Sequence, residues 1–321
     1  MKLVFLGTSA GTPTKLRNVT GLALEHTEAK TWYLFDCGEG TQHQLLHSRH
    51  SLAKLGAIFI THVHGDHTFG LPGLLASASM AGRTEPLPII APGPLQTFIT
   101  LALETTQSRL SYELQFVDVG DTDFLWQDHT IKVTTAALSH RVPCFAYVII
   151  EKRLEKSLLI DQLDADGIPA GPLWGRIHKG EDVVLEDGRR INSADYVAIK
   201  RQPRRIIIGG DNDTPELLRD VCNGTHLLVH EATYTQTVSD QVGPEPQHSS
   251  AEQVARFAES VGLPNLILTH FSSRYQFAHK SAPLIDEIER EAKDFYRGNL
   301  QLAQDFAEFE LRKDFTLIKC D

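Results

Sequence analysis

Residues 61–67 of the chain read THVHGDH, and they directly follow the apolar run AIFI at residues 57–60. The stretch places His62, His64, Asp66 and His67 within six positions at the end of a predicted strand. Imidazole and carboxylate together form the ligand set that zinc and manganese take. A purely structural role is the weaker interpretation, because packing four such side chains without a cation would crowd polar groups with little return. The stretch therefore predicts a metal site on a loop after a strand.

Three further ligand-type residues follow other strand-like runs. His140 comes after KVTTAALS, Asp211 after RIIIGG, and His270 after NLILT. Each one alone is a weak signal, but together with the first cluster they complete two coordination shells. A residue that bridges two cations about 3.5–4 Å apart must be a carboxylate. Asp211 is the aspartate placed to do this from a separate loop, so we predict a dinuclear site.

Composition points to a folded protein that holds no membrane span. The chain has 321 residues, of which 41% are hydrophobic and 22% charged, enough to bury a sizeable core. No apolar run reaches about 18 residues, and the opening LVFLG is too short for a secretion signal. We therefore expect no membrane association and a cytoplasmic location. The separated cysteines, Cys37, Cys144, Cys222 and Cys320, are expected to be reduced thiols.

Predicted strands and helices alternate along the whole chain. Helical patterns fall near Pro72–Ala81, Pro94–Thr106, Ala251–Val261 and Ala282–Tyr296. Ligand-type residues recur at the ends of the strand-like runs. This arrangement predicts an α/β sandwich with a site on the loops at one edge of its sheets.

The segment from about 151 to 205 differs from the rest in its Gly, Pro and charge content. Between Gly171 and Arg205 there are eight Lys/Arg against five Asp/Glu, a local charge of +3 in a chain of net charge −10. The acidic net charge argues against an RNA partner, but bound cations would offset part of it and basic residues can act locally. The segment is either an inserted arm with its own role or a solvated surface excursion, and charge alone leaves both open.

Several motifs resemble one family closely. HVHGDH followed by distant His, Asp and His resembles the metallo-β-lactamase superfamily, and more narrowly the ribonuclease Z family in its short bacterial form, also called ribonuclease BN. The matching runs are LGTSAGTPT with Arg17-Asn18, FDCGEGTQHQL (35–45), FGLPGLL, VHEAT (229–233), HSS (248–250) and THFSSRY (269–275). The similarity spans nearly the whole chain as far as about Gln276.

The resemblance implies an αββα sandwich over residues 1–321, with an inserted arm at about 151–205, in a homodimer. It implies two zinc ions per chain, with manganese or another divalent metal as an alternative. One ion would be held by His62, His64 and His140, the other by Asp66, His67 and His270, and Asp211 would bridge them. The arm would grip the elbow of precursor tRNA, with Gly171-Pro172 near its tip and Arg176 and Lys179 close by. One departure is Gly210-Asp211-Asn212, where relatives usually read Gly-Asp-Thr.

The implied activity is a zinc-dependent phosphodiesterase, an endoribonuclease that removes 3′ extensions from precursor tRNA; a 3′ exonuclease activity stays open. Asp66 can accept a proton from the attacking water and His248 can donate one to the leaving 3′ oxygen, with Glu231 orienting that histidine. From the residues alone, His248 is more simply a helix-start residue, and the resemblance reverses that preference. Ser272, Ser273 and Arg274 are predicted to bind the RNA backbone or its 3′ end.

Two other functions compete with this interpretation. A thioesterase or lactonase of the same superfamily could use the same metals, although GEGTQHQL, the VHEAT and HSS pair and the basic segment argue against it. A non-catalytic RNA-binding module would be expected to have lost ligands, and all seven are present.

Overall fold

The computed structural model describes residues 1–120, 123–276 and 283–320. The chain divides into two compact units, a larger one of Met1–Ile150 with Arg204–Asp321 and a smaller one of Glu151–Pro203. The smaller unit spans most of the segment that differs from the rest in composition.

In chain order the strands are β1 (Lys2–Gly7), β2 (Ser9–Ala10), β3 (Gly21–Glu25), β4 (Trp32–Cys37), β5 (Leu55–Phe59), β6 (Leu87–Ala91), β7 (Leu114–Asp118), β8 (Trp126–Gln127), β9 (Ile131–Leu138), β10 (Cys144–Glu151), β11 (Lys156–Leu158), β12 (Val183–Val184), β13 (Arg190–Ile191), β14 (Val197–Ile199), β15 (Arg205–Ile208), β16 (Leu227–Glu231), β17 (Asn265–Thr269), β18 (Phe271–Ser272), β19 (Asn299–Leu302), β20 (Glu308–Leu311) and β21 (Leu317–Cys320). The helices are α1 (Thr41–Leu46), α2 (Gly65–Thr68), α3 (Leu71–Met80), α4 (Pro94–Thr105), α5 (Ile160–Ala165), α6 (Pro172–His178), α7 (Gln236–Val242), α8 (Ala251–Ser260) and α9 (Ile285–Phe295).

Two large sheets form the larger unit. Over the described residues, one has the order β21-β20-β1-β3-β4-β5-β6-β7 and the other the order β19-β17-β16-β15-β10-β9-β8. Within them, β4 to β7 run parallel to one another, and so do β15, β16, β17 and β19. Because neighbouring parallel strands end at the same edge of a sheet, the loops after them meet there.

Alternating side chains along the strands separate three apolar layers. Along β5, Ala57 and Phe59 belong to the core between the sheets, whereas Ile58 and Ile60 face the cluster that includes α3 and α4. On β10, Tyr147 and Ile149 likewise join the central core, and Val148 joins the cluster that includes α8 and α9. A strand with both faces buried reads as a continuous apolar run, which is how β5 and β15 read in the sequence. The larger unit is thus the predicted αββα sandwich.

The predicted helices in this unit are present as α3, α4, α8 and α9. The predicted start of the last one, Ala282, lies outside the described residues. Helix α8 begins at a capping box, in which the Ser250 hydroxyl accepts from the Gln253 N–H and the Gln253 side chain accepts from the Ser250 N–H. This cap fixes the chain immediately after His248. Within the described ranges, no helix is long and apolar enough to cross a membrane.

The smaller unit has its own apolar core. Helices α5 and α6, the antiparallel strand pair β11–β14 and the hairpin β12–β13 enclose it. Its buried members are Leu163, Ile168, Ile177, Val183, Leu185, Ile191 and Tyr196. A separate core of this kind indicates a folded module rather than an irregular surface loop.

Candidate metal centre and active site

Loops at one edge of the sandwich bring together all seven residues predicted as metal ligands. The loop after β5 carries His62, His64, Asp66 and His67, with the last two inside the short helix α2. His140 follows β9, Asp211 follows β15, and His270 follows β17. Apart from His64, Asp66 and His140, which are half-buried, these side chains are buried.

One group of ligand atoms surrounds a common point. Nδ1 of His64 lies 3.1 Å from Nε2 of His62 and 3.1 Å from Nε2 of His140. Oδ2 of Asp211 lies 3.6 Å from Nε2 of His62 and 3.7 Å from Nε2 of His140. Three imidazoles and one carboxylate oxygen therefore face each other at distances that suit tetrahedral coordination of a small cation.

A second group lies on the other side of Asp211. Nε2 of His270 lies 3.4 Å from Oδ2 of Asp66, and Nε2 of His67 lies 3.6 Å from that same oxygen. The other carboxylate oxygen of Asp211, Oδ1, lies 3.5 Å from the Nε2 atoms of both histidines. Asp211 thus presents one oxygen to each group, the arrangement expected of a bridging carboxylate.

The donor atoms fit cations better than hydrogen bonds. Nε2 of His67 is buried, and the described residues offer it no hydrogen-bond partner. In four histidines Nδ1 makes a hydrogen bond that leaves Nε2 directed at the centre, as metal-binding histidines do. The partners are Thr61 Oγ1 for His62 at 3.0 Å, Asp36 Oδ2 for His67 at 2.8 Å, Gln247 O for His140 at 3.0 Å and Thr233 Oγ1 for His270 at 3.2 Å.

Asp36 is a site residue that the sequence pattern did not reveal. Its carboxylate accepts from the Thr61 N–H at 2.8 Å and the Thr61 hydroxyl at 2.9 Å, as well as from His67. Asp36 has a positive φ of 55°, a strained conformation for a residue other than glycine, and it lies at the end of a buried strand. The signal available in the sequence was a carboxylate at the end of an apolar run, inside the motif FDCGEGTQHQL.

The histidines of this cluster keep its two aspartates ionised. Burial raises the pKa of Asp211, but the surrounding His270, His67 and His62 outweigh it and keep that pKa well below its usual range. Asp66 behaves similarly, since His67 and His270 overcome burial and lower its pKa. Both carboxylates are therefore anionic near neutral pH, as cation ligands must be.

His248 and Glu231 form a buried pair beside the ligands. Nδ1 of His248 lies 2.9 Å from Oε1 of Glu231. Burial lowers the pKa of His248, but the Glu231 carboxylate outweighs it and raises the pKa to about 9. The imidazole ring lies 5.3 Å from that of His140 and 5.4 Å from that of His270, centroid to centroid. A protonated imidazole therefore stands next to both ligand groups.

Asn212, the departure from the related motif, is fully buried and joins several site loops. Its Oδ1 accepts from the Ser139 N–H at 3.1 Å, next to His140. Its Nδ2 donates to Nε2 of His230 at 3.2 Å, and its backbone N–H donates to Oε1 of Glu231 at 3.0 Å. The amide side chain thus uses both its acceptor and its donor, and the buried His230 belongs to the same hydrogen-bond network.

The predicted RNA-contacting residues fall in two places. Ser273 and Arg274 are at least partly exposed after β18, and the Arg274 guanidinium lies 5.8 Å from the ring of Tyr234, which in turn lies 6.2 Å from the His248 ring. Ser272 is buried, and its carbonyl accepts from Arg17 at 3.0 Å, so it helps to hold this loop. The other four, Gly171, Pro172, Arg176 and Lys179, are exposed residues of the smaller unit.

The fold is that of known metallohydrolases. The metallo-β-lactamase fold protein YhfI from Bacillus subtilis superposes with a TM-score of 0.65 at 18% identity, covering 96% of this chain and 98% of that one. Human tRNase Z, short form, gives a TM-score of 0.66 at 26% identity, over 97% of this chain and 99% of the human chain. The protein is therefore of the metallo-β-lactamase class, with a histidine and aspartate centre at the sheet edge.

Sequence comparison identifies the family within the metallo-β-lactamase class. A ribonuclease Z from Marinobacter nauticus is 60% identical over 100% of this chain and 99% of its own length. A family model described as anti-Pycsar protein Apyc1 matches residues 1–144, less than half of the chain. The chain belongs to the ribonuclease Z family. It is accordingly an endoribonuclease, as its motifs predicted.

Proposed function

We propose that this protein removes 3′ extensions from precursor tRNA by hydrolysing a phosphodiester bond at two zinc ions. The observation that carries the proposal is the pair of ligand groups that share Asp211, with the His248–Glu231 pair directly beside them. The substrate follows from the family, whose human structural relative is a tRNase Z. The geometry of these residues supports hydrolysis of a phosphodiester bond.

The metal ligands proposed are His62, His64 and His140 for one ion and Asp66, His67 and His270 for the other, with Asp211 between them. Two bound cations supply an activated water and neutralise charge that develops on the phosphoryl oxygens. Zinc suits the histidine-rich group, and manganese is the alternative. Elemental analysis of metal-replete protein should give two ions per chain, and His64→Ala should lower that number. The exposed His43→Ala is the matched control.

The proton transfers are assigned to Asp66 and His248, which border different cavities. Asp66 accepts a proton from the attacking water, and its Oδ2 is held by the Gly11 N–H at 2.8 Å. His248 is protonated by its contact with Glu231 and donates to the 3′ oxygen as the P–O3′ bond breaks. The products are an RNA with a 3′ hydroxyl and a 3′ fragment with a 5′ phosphate.

A thioesterase or lactonase reaction is the alternative that shares these metals. The experiment that separates the two supplies purified metal-loaded protein with 3′-extended precursor tRNA and, in parallel, with acyl thioesters and lactones. Our proposal predicts turnover of the RNA alone. Faster turnover of a thioester would favour the alternative.

The smaller unit is proposed as the arm that binds the tRNA elbow. Glu151–Pro203 holds nine Lys/Arg and ten Asp/Glu, a formal charge of −1, because it includes the acidic residues 151–170 and because Arg204 and Arg205 belong to the larger unit. Arg204 is buried, and Arg176 and Arg189 make ion pairs with Glu181 and Asp187. Phosphate contacts would therefore depend on particular exposed cations such as Lys179 rather than on the charge of the whole unit.

We also propose a homodimer in the cytoplasm. The outer face of α3 and α4 exposes Met80 at 91% and Leu101 at 61%. Large apolar side chains exposed on neighbouring helices are candidates for a protein contact. Sedimentation of the intact protein should give twice the chain mass, and Met80→Glu with Leu101→Glu should shift it towards one chain.

A further inference from the structure

A cavity of about 390 Å³ opens beside the metal ligands, and the Phe69 and Arg141 side chains in its wall have no part in the proton transfers described above. Its wall includes His64 and Asp66 together with Phe69 and Arg141. A second cavity, of about 480 Å³, is lined by His248 with Gln236 and Ser239 and shares none of these residues. The metal ligands therefore border one cavity, and the proton donor borders the other.

Phe69 has an unusual position for an apolar side chain. Its ring lies so close to Gly65 that a Cβ atom there would be 2.3 Å from the nearest ring carbon. The glycine therefore lets the ring lie directly against the loop that carries the ligands. The Phe69 side chain is nevertheless 63% exposed at the cavity. An aromatic ring held firmly and left open to solvent is a surface on which a nucleobase can stack.

Arg141 supplies the cation of the same cavity. It follows His140 directly in the chain, and it is exposed. A guanidinium beside a phosphodiester site can contact phosphate oxygens with two N–H groups at once. The cavity thus combines a stacking surface, a phosphate-binding side chain and two ligands of the metal centre, and this combination suits one nucleotide.

The direction of the RNA follows from the proton donor. Because His248 protonates the 3′ oxygen, the RNA body departs on the His248 side, while the phosphate remains with the 3′ fragment. The first nucleoside of that fragment must then lie away from His248. We propose that the cavity of Phe69 and Arg141 is the subsite for the first nucleotide of the 3′ extension, with its base on Phe69 and its 3′ phosphate at Arg141. The proposal rests on the function proposed above and adds the residues that hold the extension.

The test uses the full-length metal-loaded protein and two precursor tRNAs, which differ in having a base or an abasic residue at the first position of the extension. Stacking of one base on one aromatic ring typically contributes enough for Phe69→Ala to lower kcat/KM by about tenfold with the normal substrate. With the abasic substrate, wild type and Phe69→Ala should be equal. Leu46→Ala, another exposed apolar side chain, is the control for removing surface area.

Binding provides a readout independent of turnover. Affinity for mature tRNA, which lacks the extension, should be the same in wild type, Phe69→Ala and Arg141→Ala. Arg141→Ala should weaken binding of the extended tRNA and reduce its salt dependence, and Arg141→Lys should restore part of both. If Phe69→Ala lowered kcat/KM equally with the normal and the abasic substrate, or if either variant bound mature tRNA more weakly, the proposed subsite would be wrong. If wild type does not cleave the extended tRNA at all, the proposed function fails instead.

Discussion

Nδ1 of His248 lies 2.9 Å from Oε1 of Glu231, and this contact joins two motifs 17 residues apart into one proton-donating unit. Glu231 is 1% exposed, and it also accepts from the backbone N–H groups of Asn212 and Ser249. Its carboxylate is therefore fixed and charged, and it holds the histidine in the protonated state that a general acid requires.

The first prediction concerns pH dependence. Glu231 raises the pKa of His248 to about 9 against the opposing effect of burial. A general acid is active below its pKa and loses activity as pH rises through it. Glu231→Gln removes the charge, so the alkaline limb of the single-turnover rate should move down by about one pH unit or more. If Glu231→Gln were slower at every pH but its alkaline limb stayed at the wild-type pH, the assignment of His248 and Glu231 as the proton-donating pair would be contradicted.

Asn212 supports the second prediction. Asn212→Ala leaves the half-buried Ser139 N–H and the buried His230 ring nitrogen without their Asn212 partner, which should cost about 1–3 kcal/mol of unfolding free energy. Asn212→Thr keeps one polar group and should cost less. Urea unfolding measures both, with the exposed Asn223→Ala as control. Equal midpoints for wild type and Asn212→Ala would show that the amide does not hold these loops.

The third prediction concerns Asp36. Its carboxylate accepts hydrogen bonds from the Thr61 N–H, the Thr61 hydroxyl and His67. An amide oxygen at this position would be a poorer acceptor for His67. Asp36→Asn should therefore weaken the metal bound by His67 by about 10- to 100-fold, as changes to residues that orient ligands do. A competition titration against a chelator measures the affinity, and the exposed Asp118→Asn should leave it unchanged. If Asp36→Asn lost both metals together and also unfolded, a role limited to orienting His67 would be contradicted.

The fourth prediction separates binding from chemistry. Arg176→Ala with Lys179→Ala removes two exposed cations without touching the apolar core of the smaller unit. Affinity for precursor tRNA should fall, and the slope of log affinity against log salt should decrease by about one for each phosphate that the variant no longer neutralises. Hydrolysis of bis(p-nitrophenyl) phosphate, which needs only the metal centre, should not change. If this double variant bound precursor tRNA as tightly as wild type, the proposal that these two cations of the smaller unit bind tRNA would be contradicted.

The gathering of the seven predicted ligands could be foreseen from the sequence, because they follow apolar runs and parallel strands bring their ends to one edge. Asp36 could not be assigned in the same way, since its role depends on strand β4 lying next to β5 in the sheet, a pairing that no local pattern reveals. His248 was ambiguous for a similar reason, because it lies in the loop before α8 and its partner Glu231 comes from the end of strand β16. The charge between Gly171 and Arg205 also overstates the basic character of the arm, because Arg204 is buried in the larger unit.

The most direct measurement maps the ends of the products formed from a 3′-extended precursor tRNA. We predict one cut at the start of the extension, leaving a 3′ hydroxyl on the tRNA and a 5′ phosphate on the released fragment, with the reaction abolished by a chelator and restored by zinc or manganese. A tRNA ending in a 3′ phosphate, or cleavage that persists after the metals are removed, would contradict it.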